Sequence, residues 1–283
     1  MQSFKPLSYQ STHFSEDQIP FYRLYVLIQS YSIVYVVMNE EGDVLIAKEL
    51  MNTQGLGLEI FVQYILETEE LFYKPFGIRK IIHSHPTFAL LPKSFAEGKD
   101  SLHLARILIE DSLYEDDIEV EELTKLDASL VFPNSSFIES LCKEYFDLHQ
   151  NGHVASASLR LANELKDDYP THLLLHILEG KILISAHKDG KLILCNAFAY
   201  QSVIDALYFV QSVCKLYPKK PQELPIFMVG AFEKDSKLFR ELLFHLPNCR
   251  IPTYIFQRYF SEEIKEMKSW KFGFMLLEME AKA

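Results

Sequence analysis

The chain has 283 residues, 48% of them hydrophobic and 24% charged, a composition that supports a packed core and suits two medium domains or one large one. The formal net charge is −11, which argues against nucleic acid or an anionic membrane surface as a partner, because both call for a basic patch. Cys142, Cys195, Cys214 and Cys249 are widely separated, with no CxxC and no short Cys/His pairing, so they read as buried reduced thiols. The opening MQSFKPLSYQ lacks a cationic region followed by an apolar core, and no apolar run reaches the length of a membrane span. A soluble, cytoplasmic protein is expected.

In chain order, YVLIQSYSIVYVVMNEEGDVLIAKEL from Tyr25 reads as three strands, broken at Gln29–Ser32 and turned at NEEGD, where Gly42 supplies positive φ. Leu58, Phe61, Val62, Ile65, Leu66 and Glu69 then recur at helical spacing, and IRKIIH from Ile78 reads as a buried strand. A new extended piece begins with PTFALLP, and the acidic run EDDIEVEEL, Glu115 to Leu123, reads as a strand or sheet edge with solvated acids. His153 and Ser156 with Asp167 or Asp168 make no nucleophile set, since the chain has no Gly-x-Ser-x-Gly elbow.

From Leu173 the pattern returns. LLLHILEGKILISAHKDGKLILCNAF overlays the first triplet at a constant offset of 148, with Gly42 on Gly190 and with Val34 and Val36 on Ile182 and Ile184. Asp189–Gly190 is a strong hairpin signal. A helix follows, carried by Val203, Ile204, Leu207, Tyr208, Val210, Gln211 and Cys214, and then the buried strand PIFMVGAF from Pro225. Tyr208 and Phe209 read as core or interdomain packing, because no basic residues interleave with them as a base-stacking platform requires. Trp270 to Leu277 reads as a last core element or an oligomer contact, which leaves a homo-oligomer open.

The order β-β-β-α-β therefore occurs twice. It predicts an α/β protein of two ribonuclease H-like modules (β-β-β-α-β-α), residues 1–150 and 151–283, in a bilobal actin-like architecture born of domain duplication. On FALLPKSF, KLILCNAFAYQSVIDALYFVQSV and FMVGAFEKDSKLFRELLFHL, the chain resembles the actin-like superfamily of sugar kinases, Hsp70 chaperones and the actin-like protein of type IV pilus assembly. It is more closely similar to an uncharacterised bacterial family of that fold, over most of residues 22–277.

The resemblance implies a nucleotide held between the modules. Each first hairpin would carry an Asp and glycines for magnesium and phosphate, and a Gly-Gly turn after the fourth strand of the second module would hold adenosine. Bulky side chains in such loops block the approach of backbone to phosphate. The first hairpin here, LIQSYSIV, has neither Asp nor Gly. The second offers Glu179 and Gly180, and the turn is Gly230–Ala231. If nucleotide binds, Glu179, Gly180 and Gly230 are the positions that touch it; Gly230 also reads as a glycine that only lets strand and helix pack closely. The expectation is a non-catalytic, cofactor-free scaffold, a pseudo-ATPase with an unknown protein partner. The alternative is a weak ATP-binding protein or ATPase using the interdomain cleft.

One further motif, HSHP at His83–Pro86, resembles the zinc-isopeptidase site of the MPN metalloprotease family. That site needs His-x-His, seven residues, Ser, two residues and Asp. Here eight residues separate His85 from Ser94, and Glu97 stands where the Asp is needed, the next Asp being Asp100. The spacing predicts that His83 and His85 close a strand and bind no metal.

Overall fold

The first half of the chain folds on a meander of β2 (Arg23–Ile28), β3 (Ser32–Met38) and β4 (Val44–Met51), with β1 (Ser8–Gln10) along the outer side of β4. The computed structural model describes residues 7–85, 87–96, 118–146, 149–218, 220–259 and 268–282. It divides into two units, Met1–Ser156 with Tyr259–Lys265, and Ala157–Arg258 with Glu266–Ala283.

In the first unit, β3 is buried along its whole length. That explains why its sequence is a continuous apolar run rather than an alternation. The helix α1 (Leu58–Thr68) lays Phe61, Val62, Ile65 and Leu66 on the sheet and leaves Ile60 and Tyr64 exposed. β5 (Ile78–His83) then returns parallel to β2. A small sheet of β6 (Ala89–Pro92), β7 (Ile118–Leu123) and β8 (Ala128–Pro133) is inserted next, in the order β6-β8-β7, with the short helix α2 (Lys93–Ala96) after β6. The helix α3 (Ser136–Phe146) and β9 (Gln150–His153) complete a sheet of order β1-β4-β3-β2-β5-β9. α4 (Val154–Leu165) leads onward.

The second unit repeats the meander as β10 (His172–Leu178), β11 (Lys181–Lys188) and β12 (Lys191–Ala199). It continues through α5 (Val203–Cys214), β13 (Ile226–Gly230), α6 (Lys237–His245), β14 (Cys249–Arg250) and α7 (Thr253–Phe256). Its sheet order is β12-β11-β10-β13-β14, the same as β4-β3-β2-β5-β9. Ser202 starts α5 with a capping box shared with Asp205. Trp270, Phe272, Phe274, Met275, Leu276 and Leu277 are buried, so the C-terminal segment is a core element. Among the described residues no helix is long and apolar enough to cross a membrane.

Gly42 and Gly190 both sit with positive φ in the turn between the second and third strands. The overlay of 148 holds for the third strand: Ile46 faces Val37 as Leu194 faces Ala186. It slips for the first two strands. Ile33, Tyr35 and Val37 share the core face that Ile182, Ile184 and Ala186 occupy in the second unit, an offset of 149. The second turn is one residue shorter, and with a side-chain period of two, one residue exchanges every face. The gapless overlay therefore put Val34 on Ile182 across opposite faces of the sheet.

The acids of β7 are also not all solvated. Glu121 is nearly buried and meets the equally buried Lys80 at 3.2 Å. Glu119 accepts from Asn151 Nδ2 at 3.0 Å. The part of the acidic run before Ile118 lies outside the described residues.

Burial sets an acid limit on both units. It disfavours the imidazolium and pulls His83 and His172 down to about 4 and His153, His176 and His187 to about 3. The folded values lie below the unfolded one of about 6.5. This contribution to stability is thus complete above that pH and is lost as the pH falls towards 4, by up to about 1.4 kcal/mol per histidine per pH unit. Urea midpoints measured from pH 7.5 to pH 4.5 are expected to hold above about 7 and to fall steeply below about 6. A profile flat from pH 7 to 5 excludes neutral buried imidazoles.

Candidate functional site

In open α/β sheets, ligands gather at the carboxyl ends of the parallel strands. In the second unit those ends are Ile177 on β10 and Gly230 on β13, which face each other in register. Gly230 has φ +104, and a Cβ built on it collides with the Ile177 carbonyl oxygen and comes within 2.6 Å of His176 Cδ2. The two backbones touch because Gly230 has no side chain.

The turn beyond Gly230 turns its donors inward. Ala231 N–H donates to Ile177 O at 2.7 Å, Phe232 N–H to Gly230 O at 3.0 Å, and Ser236 N–H to Glu233 O at 3.0 Å. The Ser236 side chain caps α6 by accepting from Phe239 N–H at 3.2 Å. Phe232 is buried and stacks on Phe239 with ring centroids 5.3 Å apart and on Trp270 at 5.9 Å. Trp270 Nε1 donates to Phe232 O at 3.0 Å. Glu233 contacts Lys268 Nζ at 2.6 Å and Lys271 Nζ at 3.1 Å. Burial raises the Glu233 carboxyl, and these lysines outweigh it and hold the group below its ordinary value.

Of the residues predicted from the sequence, Glu179 and Gly180 form the tip of the β10–β11 hairpin, between Leu178 and Lys181. Gly180 has φ +68 with open space where a Cβ would stand, and its carbonyl accepts from Tyr200 N–H at 2.9 Å. Glu179 is half-buried and Gly180 exposed. In the first unit, Ser30 and Tyr31 take the same place. Gln29 N–H donates to Ser32 O at 3.0 Å, Ser32 Oγ donates to Gln29 Oε1 at 2.9 Å, and Asn52 N–H donates to Tyr31 O at 2.7 Å. This tip is closed by its own side chains, and Tyr31 is exposed above it.

HSHP falls at the first-unit counterpart of the Gly230 turn. Ile28 faces His83 as Ile177 faces Gly230, and Ser84 Oγ donates to Ile28 O at 2.8 Å where Ala231 N–H donates to Ile177 O. β5 ends at His83, so His85 lies beyond the strand. His83 is buried and His85 is exposed. Asn151 Nδ2 donates to Glu119 at 3.0 Å and Glu139 at 2.9 Å, which fixes its Oδ1 as the acceptor from His83 Nε2–H at 3.2 Å. Among the described residues no group of three or more His, Cys, Asp and Glu is placed to hold a metal ion. Glu97 and Asp100 lie outside them.

His153 escaped sequence reasoning as a structural residue. Its Nδ1 accepts from Ala155 N–H at 3.1 Å, so Nε2 carries the proton and donates to His85 O at 2.8 Å. Ser156 Oγ lies 2.5 Å from the Glu121 carboxylate and 2.7 Å from the His153 carbonyl oxygen. The His153 ring thus accepts from the first turn of α4.

A family model matches residues 11–249, and its description is protein of unknown function, DUF3822. The chain belongs to that family. No curated protein matches. Among solved structures, a Bacteroides thetaiotaomicron protein with an actin-like ATPase fold and unknown function aligns at 13% identity, TM-score 0.75, over 95% of this chain and 99% of that one. The PilM–PilN type IV pilus biogenesis complex contains a chain that aligns at 12% identity, TM-score 0.57, over 91% of this chain and 97% of that one. At these identities the likeness shows the fold, which is actin-like.

The two glycines respond differently to a methyl group. Gly180→Ala meets only the left-handed φ and is expected to cost about 1 kcal/mol. Gly230→Ala meets φ and a backbone oxygen together and is expected to cost about 3 kcal/mol or more. Urea unfolding of both variants checks this, and equal losses contradict the close contact at Ile177.

Proposed function

We propose that the protein is a non-catalytic actin-like scaffold that binds another protein and does not use ATP. The observation that carries this reading is the turn after β13. Its amides at Ala231 and Phe232 bond to Ile177 and Gly230, and its interior is filled by Phe232 against Phe239 and Trp270. A phosphate or ribose bound there must break those bonds, because a nucleotide needs backbone donors that point outward.

Electrostatics points the same way. A triphosphate is held by magnesium positioned by a carboxylate. The first hairpin supplies Gln29, Ser30, Tyr31 and Ser32, none of which is an anion, and two of these side chains bond each other. Glu179 at the second tip is an acid, which repels phosphate unless a cation lies between them. The competing reading, weak ATP binding, draws on Gly180 alone, whose positive φ and open surroundings leave one hairpin tip accessible.

A protein partner is supported by the neighbour of the same fold that occurs in the PilM–PilN complex. Cys142, Cys214 and Cys249 are buried and unpaired, and Cys195 is half-buried and unpaired, which fits a reducing cytoplasm.

Titration calorimetry of the full chain with Mg-ATP is expected to give no saturable heat up to millimolar nucleotide, and a phosphate-release assay no turnover. Saturable binding with a micromolar Kd overturns the scaffold reading and puts ATP binding in its place.

A further inference from the structure

A sheet edge is an unpaired row of N–H and C=O groups, and folded proteins blunt such edges by shortening or charging them. Among the described residues, five of the six sheet edges follow that rule. β1 has three residues, β14 two, and β6 and β9 four each. β7 has six, but they include Glu119, Glu121 and Glu122. The sixth edge, β12, does not. It has nine residues, and a register shift opposite Ala186/His187 bends only its start. From Leu194 to Ala199 the ladder with β11 is unbroken, and the outer strand reads Leu-Cys-Asn-Ala-Phe-Ala with no charge.

The direction of the outer groups follows from two bonds. Tyr200 N–H donates back to Gly180 O at the end of the hairpin. In an antiparallel ladder the amides alternate, so those of Cys195, Ala197 and Ala199 point away from the sheet. The bond from Ala197 N–H to the adjacent Asn196 Oδ1, at 2.9 Å, agrees with that direction. Beside this edge Ile204 and Tyr208 on α5 are 77% and 64% exposed. Tyr208 packs edge-on against Phe209, which stacks on Phe198 of β12 with centroids 4.8 Å apart. Apolar side chains thus flank the open backbone on the helix side, where sequence reasoning expected Tyr208 to be covered.

We propose that β12 pairs antiparallel with β12 of a second copy of this chain, about a two-fold axis at Ala197. In that register Ala197 faces Ala197 of the second copy, Cys195 faces Ala199, and Asn196 faces Phe198. The facing pairs of outward residues exchange N–H···O bonds, and the Asn196 side chain gives up one amide to a backbone carbonyl. No like charges meet, because Lys191 lies outside the paired stretch. The pairing also terminates: the far edge of the same sheet is the two-residue β14, so the two-fold consumes both long edges and leaves a closed dimer. This inference does not rest on the nucleotide reading, since β12 lies at the opposite side of its sheet from β13.

Sedimentation equilibrium of the full chain is expected to show a dimer. Hydrogen exchange is expected to show slowed amides at Cys195, Ala197 and Ala199 that speed up on dilution. Ala197→Pro removes a donor that β11 does not use, and Ala199→Lys places a charge in the pairing; each is expected to give a monomer with unchanged circular dichroism. Phe244→Ser, at an 80% exposed position on α6, serves as the variant that stays dimeric. A wild type that is monomeric at the top concentration of a 100-fold dilution series overturns the self-pairing. A dimer that survives in both folded variants, or whose outward amides exchange freely, overturns it as well.

Discussion

The contact between Gly230 and the Ile177 carbonyl organises the second unit. Without a Cβ at Gly230, β13 closes on β10 and turns at φ +104. The turn brings Ala231 N–H onto Ile177 O and directs Phe232 into the core beside Phe239 and Trp270. Trp270 in turn bonds the Phe232 carbonyl and anchors the C-terminal segment, whose Phe274 lies 4.2 Å from the ring of His176. One glycine therefore couples two strands, a helix start and the chain end. The same closure that builds the core removes the outward donors of the turn.

The first unit solves the equivalent problem with a side chain. His83 stands where the second unit has Gly230, and its ring is held by Asn151, which also bridges Glu119 and Glu139. Burial raises the Glu139 carboxyl, but the bonds from Asn151, Lys143 and His149 outweigh it and hold the group at about 2. The inserted sheet supplies the remaining polar partners, with Glu121 reaching Lys80, the His153 amide and Ser156. An ion pair this deeply buried adds little net stability, yet losing one partner costs about 3–5 kcal/mol because the other is stranded. These groups tie the insertion to β5 and β9.

A fold of this kind presents its function at surfaces that the core does not claim. In the second unit the core uses the amides of Ala231 and Phe232 at the strand-to-helix turn and leaves the long edge of β12 at the rim of its sheet. That division follows from where donors point: inward at Ala231 and Phe232, outward at Cys195, Ala197 and Ala199.

Local patterns in the sequence determined the strands of both meanders, β5 and β13, the helices α1 and α5, the turns at Gly42 and Gly190 and the repeated strand order, because each depends on a period of 2 or 3.6 residues or on one glycine's φ; β1, β8, β9 and β14 went unread. They also showed that HSHP departs from a zinc motif and that the first hairpin lacks Asp and Gly. The one-residue slip between the two meanders was not legible, because only cross-strand pairing reveals which face a strand presents. Neither was the burial of Glu121, whose partners Lys80 and His153 lie more than thirty residues away in the chain. Tyr208 and Phe209 look alike in sequence, yet only the second packs on Phe198. Tertiary structure decided these points for one physical reason. The partner of a buried polar group, and the side of a sheet left open, are set by contacts between segments distant in sequence, to which no local period is sensitive.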